Sequence, residues 1–220
     1  MRKRRCNSSA CRQTGSSSSA ARSRYRPARV RAAIILAAGR SRRFGTANKL
    51  LTPIAGKALL ARTIKAALRE PVGRVLVMIG HDRQRIAGVV HSQGQGRVFP
   101  VQAADHALGH QYTLLAGLKS LSRHENEVLV FLADAPGVRR SVAGPLSRAA
   151  RGKVAARAVQ QHIPGHPVLI RDIPAVIRRI EEGKAPLDPA TTGRVQVGRL
   201  AIADVDRPID RHRFAEHGRS

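Results

Sequence analysis

The chain contains no tryptophan, and aromatic residues make up only 3% of it. A core must therefore be filled by Ala, Val, Leu and Ile, within an apolar fraction of 42%, which suits helices packed on a sheet. The same scarcity of rings argues against single-strand nucleic-acid recognition, which stacks bases on aromatic side chains. Both cysteines, Cys6 and Cys11, lie near the N-terminus, leaving the remainder without a disulfide framework or a cysteine zinc site. No apolar run approaches the roughly 20 residues that span a bilayer, and the N-terminus has no apolar core of a secretory signal. These absences lead to the expectation of a soluble, cytoplasmic protein with no membrane partner.

Acidic residues are missing too, but only from one end. No Asp or Glu precedes Glu70, whereas Met1 to Arg31 carry ten Lys and Arg, part of a formal net charge of +26. Residues 1–29, rich in Arg and Ser, hold too few large apolar groups to offset the entropy of ordering, so a disordered basic tail is expected. An organelle transit peptide, a nucleic-acid-binding arm and a plain solvated tail share that composition. Residues 30–215 are expected to form one domain, because 220 residues cannot hold two ordinary domains and a tail. The remaining positive field of that domain would speed encounter with phosphorylated substrates.

What is present alternates between strand and helix, the pattern of a largely parallel sheet with helices on its faces. Ala32–Leu36 reads as a strand buried on both faces. Helical spacing follows over 56–70, a strand over 74–79, a short helix over 82–90 and a strand over 97–101. Gln111–Leu121 places Leu114, Leu115, Leu118 and Leu121 on one helical stripe, and Glu127–Leu132 is the clearest later strand. Strands over 153–159 and 168–170, a helix over 173–182 and a last strand over 195–202 complete the reading.

The most informative stretch is Leu36–Leu51, L-A-A-G-R-S-R-R-F-G-T-A-N-K-L-L. Gly39 and Gly45 let a backbone approach a polyanion, while Arg40, Arg42, Arg43 and Lys49 supply charge. Arg forks onto phosphate oxygens and Lys acts as a mobile point charge. The stretch is neither a Walker A loop nor a full G-x-G-x-x-G fingerprint. It resembles the opening of nucleotidyltransferases with the nucleotide-diphospho-sugar transferase fold, L-A-[AG]-G-x-[SG]-x-R-[MF]-G with a Lys a few residues on. Within them it is most similar to the molybdenum cofactor cytidylyltransferases. The G-H-P-V-L segment, Gly165 to Leu169, resembles that group's acceptor-side motif and strengthens the likeness, which covers about residues 32–212.

The resemblance implies an α/β three-layer sandwich around a mostly parallel, Rossmann-like sheet. It implies transfer of CMP from CTP to the terminal phosphate of molybdopterin, with release of pyrophosphate. Leu36, Ala37, Ala38 and Gly39 would contact base and ribose through the backbone, and Arg43 and Lys49 would stabilise the triphosphate. Asp134, in A-D-A-P just past a strand end, would bind Mg²⁺, an ion that often takes only one or two carboxylates. Asp204, Asp206 and Asp210 are candidates for a second ligand, with Asp206 preferred, although Asp206 equally suits a helix cap. His166 would touch the acceptor; read by itself, a His before Pro is a turn residue. A molybdenum hydroxylase receiving the cofactor is the implied protein partner.

Two departures fall in the acceptor half. Tyr112 stands in a stretch where the group has small residues, and the common G-D-x-G-A-R segment is replaced by Glu182-Gly183-Lys184-Ala185-Pro186. Guanylyl transfer from GTP, or a sugar or alcohol phosphate as acceptor, is the neighbouring alternative. A catalytically silent, basic nucleic-acid-binding protein and a cofactor-delivering chaperone are alternatives of other classes.

Overall fold

A computed structural model describes residues 30–39, 48–93, 96–137, 141–198 and 205. The basic tail, Arg43 with the rest of 40–47, and Asp204, Asp206 and Asp210 lie outside the described residues.

Strand β1 (Val30–Leu36) pairs in parallel on both sides, with β4 (Arg74–Ile79) and β6 (Glu125–Leu132). That double pairing is why its sequence is a continuous apolar run and not an alternation. Strand β5 (Val98–Gln102) adds in parallel to β4. On the other side β8 (Ile163–Ile170) is antiparallel to both β6 and β7 (Ala155–Gln160), and β9 (Thr192–Gln196) is parallel to β7. The seven-stranded sheet thus runs β5-β4-β1-β6-β8-β7-β9, with β8 reversed. A two-stranded ribbon, β2 (Pro53–Ile54) with β3 (Lys57–Ala58), stands beside it.

Helices cover both faces. Side chains of α1 (Leu59–Leu68), α2 (Arg83–Gln93) and α4 (Ala143–Ala149) share one core with Ala33, Ile35, Leu129 and Phe131. Those of α3 (His110–Lys119) and α5 (Ile173–Glu181) share the other with Ile34, Leu36, Val128 and Val130. The alternation of β1 and β6 between two cores is the period-2 geometry of a strand at work, and the result is the expected three-layer sandwich.

Several boundaries differ from the sequence reading. The helix expected from Gly56 starts at Leu59, because Ala55 and Gly56 both have positive φ, +47° and +74°. Two consecutive left-handed residues turn the chain as a tight hairpin requires. Strand β8 begins at Ile163 and not at Val168. Pro164 and Pro167 read as strand breakers, yet β8 runs through both: its register with β7 shifts between the pairing of Arg157 with Val168 and that of Val159 with Pro164, which leaves Gly165, His166 and Pro167 opposite the single residue Ala158. His166 is therefore a strand residue and not part of a turn. Where a strand was expected over 195–202, the last strand among the described residues is Thr192–Gln196; a Cβ at Gly193 would come within 2.2 Å of the Ala149 carbonyl oxygen, so glycine permits the close approach of β9 to α4. Helix α4 was missed altogether. It contains Gly144 and Pro145, and its start is held from afar by Glu70, whose carboxylate accepts from the N–H groups of Val142 (3.0 Å) and Ala143 (3.2 Å) and from the Ser141 hydroxyl (2.6 Å).

Candidate active site at the carboxyl ends of β1 and β6

In an open α/β sheet, ligands bind beyond the carboxyl ends of the strands, where strand order reverses. Here that point lies between β1, which leads to β4 on one side, and β6 on the other. Residues after both strands are tied together at their bases. The Ala133 N–H donates to the Leu36 carbonyl (3.2 Å) and the Ala37 N–H to the Met78 carbonyl (3.0 Å). The buried Thr63 hydroxyl of α1 donates to the Ala133 carbonyl (2.9 Å), fixing the turn that carries Asp134.

Lys49 and Asp134 meet across this point. The Lys49 Nζ donates to Asp134 Oδ2 at 2.5 Å, and their side chains are 15% and 20% exposed. Lys49 opens a short 3₁₀ turn, Lys49–Leu51, whose start is held by Asn48: its Oδ1 accepts from the Leu50 N–H (3.0 Å). The Asn48 Nδ2 in turn donates to Asp82 Oδ2 (3.3 Å), joining the loop after β1 to the loop after β4. Asp82 has φ +57°, and the neighbouring Gly80 leaves no room for a Cβ, which would lie 2.5 Å from the His106 ring and 2.9 Å from Ala38. Asn48, Asp82 and Gly80 were not singled out from sequence; N-K before an apolar pair was a capping signal that could have found the first.

Of the strip Leu36–Gly39, the first three residues are buried and Gly39 is exposed. Leu36 and Ala37 spend backbone groups on the sheet, and the Ala38 carbonyl accepts from the His81 N–H (3.4 Å). Gly39 has no left-handed φ, and a Cβ on it would meet no described atom within 4 Å.

The acceptor-side candidate His166 lies on β8. It stands two residues from Val168, the point where the β6–β8 pairing ends at Val130, on the side toward the carboxyl end of β6. Burial, with the positive charge of Arg157 adding to it, pushes the imidazole down to about 4, while Asp134 pulls the other way and His110 lowers it further. His166 is thus neutral at physiological pH and within the electrostatic reach of Asp134. Tyr112 sits half-buried in the first turn of α3.

Asp134 is suited to hold a hard cation, since a carboxylate at a strand end is an oxygen donor of the right kind. Among the described residues no three His, Cys, Asp or Glu cluster as a metal cage. The preferred second ligand, Asp206, lies outside the described residues. Its neighbour Val205 is fully buried and donates its N–H to the Asp134 carbonyl (3.0 Å).

The family model for the MobA-like NTP transferase domain matches residues 33–186, from within β1 to just beyond α5. The chain belongs to this family. The MobA-like domain is 29% identical over 157 residues to the bifunctional protein GlmU of Lactococcus lactis subsp. cremoris, an alignment that covers 69% of this chain and 33% of that protein. It therefore spans about a third of this curated relative. Among solved structures, 4-diphosphocytidyl-2C-methyl-D-erythritol synthase from Anaerococcus prevotii superposes with a TM-score of 0.68 at 14% identity, over 86% of this chain and 95% of that one. A manganese complex of Rv0371c from Mycobacterium tuberculosis gives 0.61 at 17% identity, over 86% and 99%. At those identities the likeness is one of fold. By family the chain is an NTP transferase domain, and Lys49 and Asp134 meet beyond the carboxyl ends of its central strands.

Proposed function

We propose that this protein transfers CMP from CTP to the terminal phosphate of a molybdopterin-type acceptor and releases pyrophosphate. The Lys49–Asp134 pair across the strand-order reversal carries the reading, because it sets a mobile cation and a metal-binding carboxylate side by side at the mouth of the sheet. The choice of CTP and of a molybdopterin acceptor rests on the A-A-G form of the first loop and on G-H-P-V-L.

An acceptor phosphate is already a competent nucleophile. One of its oxygens attacks the α-phosphorus of CTP, the bond from that phosphorus to the bridging oxygen breaks, and pyrophosphate leaves with the electron pair. The protein needs no activated Ser, Cys or His for this. Its task is to align two anions and neutralise developing charge. Lys49, freed from Asp134 when phosphates arrive, would hold the triphosphate and the departing pyrophosphate, with Arg43 from the same loop. A divalent cation such as Mg²⁺ on the Asp134 carboxylate would supply Lewis-acid charge neutralisation at the phosphate oxygens. Gly39 would offer its backbone to the base and ribose, and the neutral imidazole of His166 would lie beside the acceptor as a hydrogen-bonding group.

The test is pyrophosphate release by the full chain with Mg²⁺, comparing CTP with GTP, with and without molybdenum cofactor. The expected result is acceptor-dependent release with CTP that Lys49→Ala reduces through both nucleotide affinity and turnover. Release with GTP alone would replace the donor, and silence with both nucleotides in the presence of molybdenum cofactor would overturn the proposed reaction.

A further inference from the structure

Most arginines of the sheet that are shielded from solvent have an acid. Arg31 and Arg171 hold Glu127, and Arg74 holds Glu125. Arg157 is the exception among these. It sits in the middle of β7, an interior strand, in the run A-A-R-A-V. Its Nε is buried with no hydrogen-bond partner among the described residues, and its Nη2 makes one long contact, 3.4 Å, to the Gly165 carbonyl. Burial disfavours its charge, and the neighbouring Arg194 adds to the penalty. A desolvated cation facing another cation is costly unless an anion compensates both.

The geometry says where that anion would lie. Arg157 and Arg194 are directly paired on adjacent parallel strands. Gly193 faces α4, so Arg194, one residue on, projects to the opposite face. Ala156 likewise belongs to the core that α4 shares, which turns Arg157 to that same opposite face. Strands β7 and β9 run in the direction of β6, so both guanidinium groups lie on the path toward the end of the sheet where Asp134 stands. Arg157 reaches further that way, to Gly165, the residue before His166. Arg194 is exposed, so the pair is open to solvent on one side.

We infer that Arg157 and Arg194 form an anion subsite for a phosphate dianion, the group by which the acceptor is anchored on the far side of Asp134 from Lys49. This assignment rests on the reading of the chain as a transferase to a phosphate acceptor. Two forked cations match the charge of a phosphate monoester, which approaches −2 near neutrality. The neutral imidazole of His166 adds a hydrogen-bonding neighbour without a third charge. The arrangement explains why β7 tolerates an arginine with no acid beside it among the described residues: its counter-ion is the substrate's.

Inorganic phosphate is the probe. Titrated into the full chain without nucleotide, it is expected to shift the Nε–H resonance of Arg157, and Arg157→Gln or Arg194→Gln should weaken phosphate binding by about tenfold each. Arg157→Gln should melt at the same temperature as the parent or higher, since it removes an uncompensated buried charge; a purely structural arginine would do the reverse. In turnover assays both variants should raise the KM for the phosphate acceptor and leave the KM for CTP unchanged. Phosphate binding that is unaffected by both substitutions, or that CTP displaces competitively, would overturn the inference. Phosphate binding at Arg157 in a chain that transfers no nucleotide would keep the subsite and overturn the transferase reading.

Discussion

Strand β6 carries carboxylates at both ends, and the two ends differ in how those acids are held. At its N-terminal end Glu127 has a side chain with no exposure at all, gripped by Arg31 Nη2 (2.5 Å) and Arg171 Nε (2.8 Å) from strands β1 and β8 and their margins. Glu125 nearby is held by Arg74 (2.6 Å) and the Ser122 N–H (2.7 Å). Burial alone would raise the Glu125 carboxyl, and those hydrogen bonds outweigh it and bring the group below its ordinary value. Just past the other end, Asp134 keeps 20% of its side chain exposed and faces a lysine. Planar guanidinium forks in a dry setting lock an acid, whereas a flexible ammonium in a half-open one can be exchanged for a ligand. The same residue class is thus a structural staple at the base of the sheet and, in the proposed function, chemical equipment at its mouth.

That comparison can be broken from either side. The largest effect is expected from Glu127→Gln, which leaves two shielded arginines without their acid. It should cost about 3–5 kcal/mol of stability in denaturant unfolding, with the folded fraction turning over at the parent rate. Asp134→Asn should do the opposite. It should lower kcat by ~10²–10³-fold, roughly 3–4 kcal/mol of transition-state stabilisation, and leave the melting temperature unchanged in a thermal scan. If Asp134→Asn destabilises the fold as much as Glu127→Gln does, the two ends are not distinct.

His166 sharpens the contrast along the pH axis. Its folded-state pKa of about 4 lies below the ordinary 6.5, so the unfolded chain binds the extra proton first as pH falls. The stability His166 contributes is complete above pH 6.5 and is lost progressively as pH falls toward 4. The loss from this residue should total about 3 kcal/mol. Denaturant titrations at pH 7 and pH 4 should show His166→Asn with a correspondingly flatter pH dependence than the parent.

Much of the mouth of the sheet was legible in the sequence. V-L-V-F-L set Asp134 just past a strand end, an uninterrupted apolar run led into Gly39, and the family resemblance then singled out Lys49 further along the same loop as a partner for the site. The staple at the base was not legible. Glu127 sits at the start of the same strand and carries no motif, and its partners Arg31 and Arg171 are 96 and 44 residues away. Glu70 was equally silent, because capping α4 is a contact made across the fold. Arg157 did leave a trace, an arginine inside A-A-R-A-V, but its meaning depends on Arg194 across the β7–β9 pairing. The G-H-P segment misled because prolines usually end strands, and β8 keeps its place by a shift of register.

By itself the sequence determined the layered α/β class through short-range periodicity and composition, and its likeness to a family of nucleotidyltransferases picked out the stretch after β1, Lys49 and Asp134 as candidates. Tertiary structure alone decided that β8 runs backwards, that His166 is a half-buried neutral strand residue, and that Arg157 stands beside Arg194 with no acid to match among the described residues. Those outcomes depend on strand neighbours far apart in the chain, and charge and burial acquire their consequences only once such neighbours are set together.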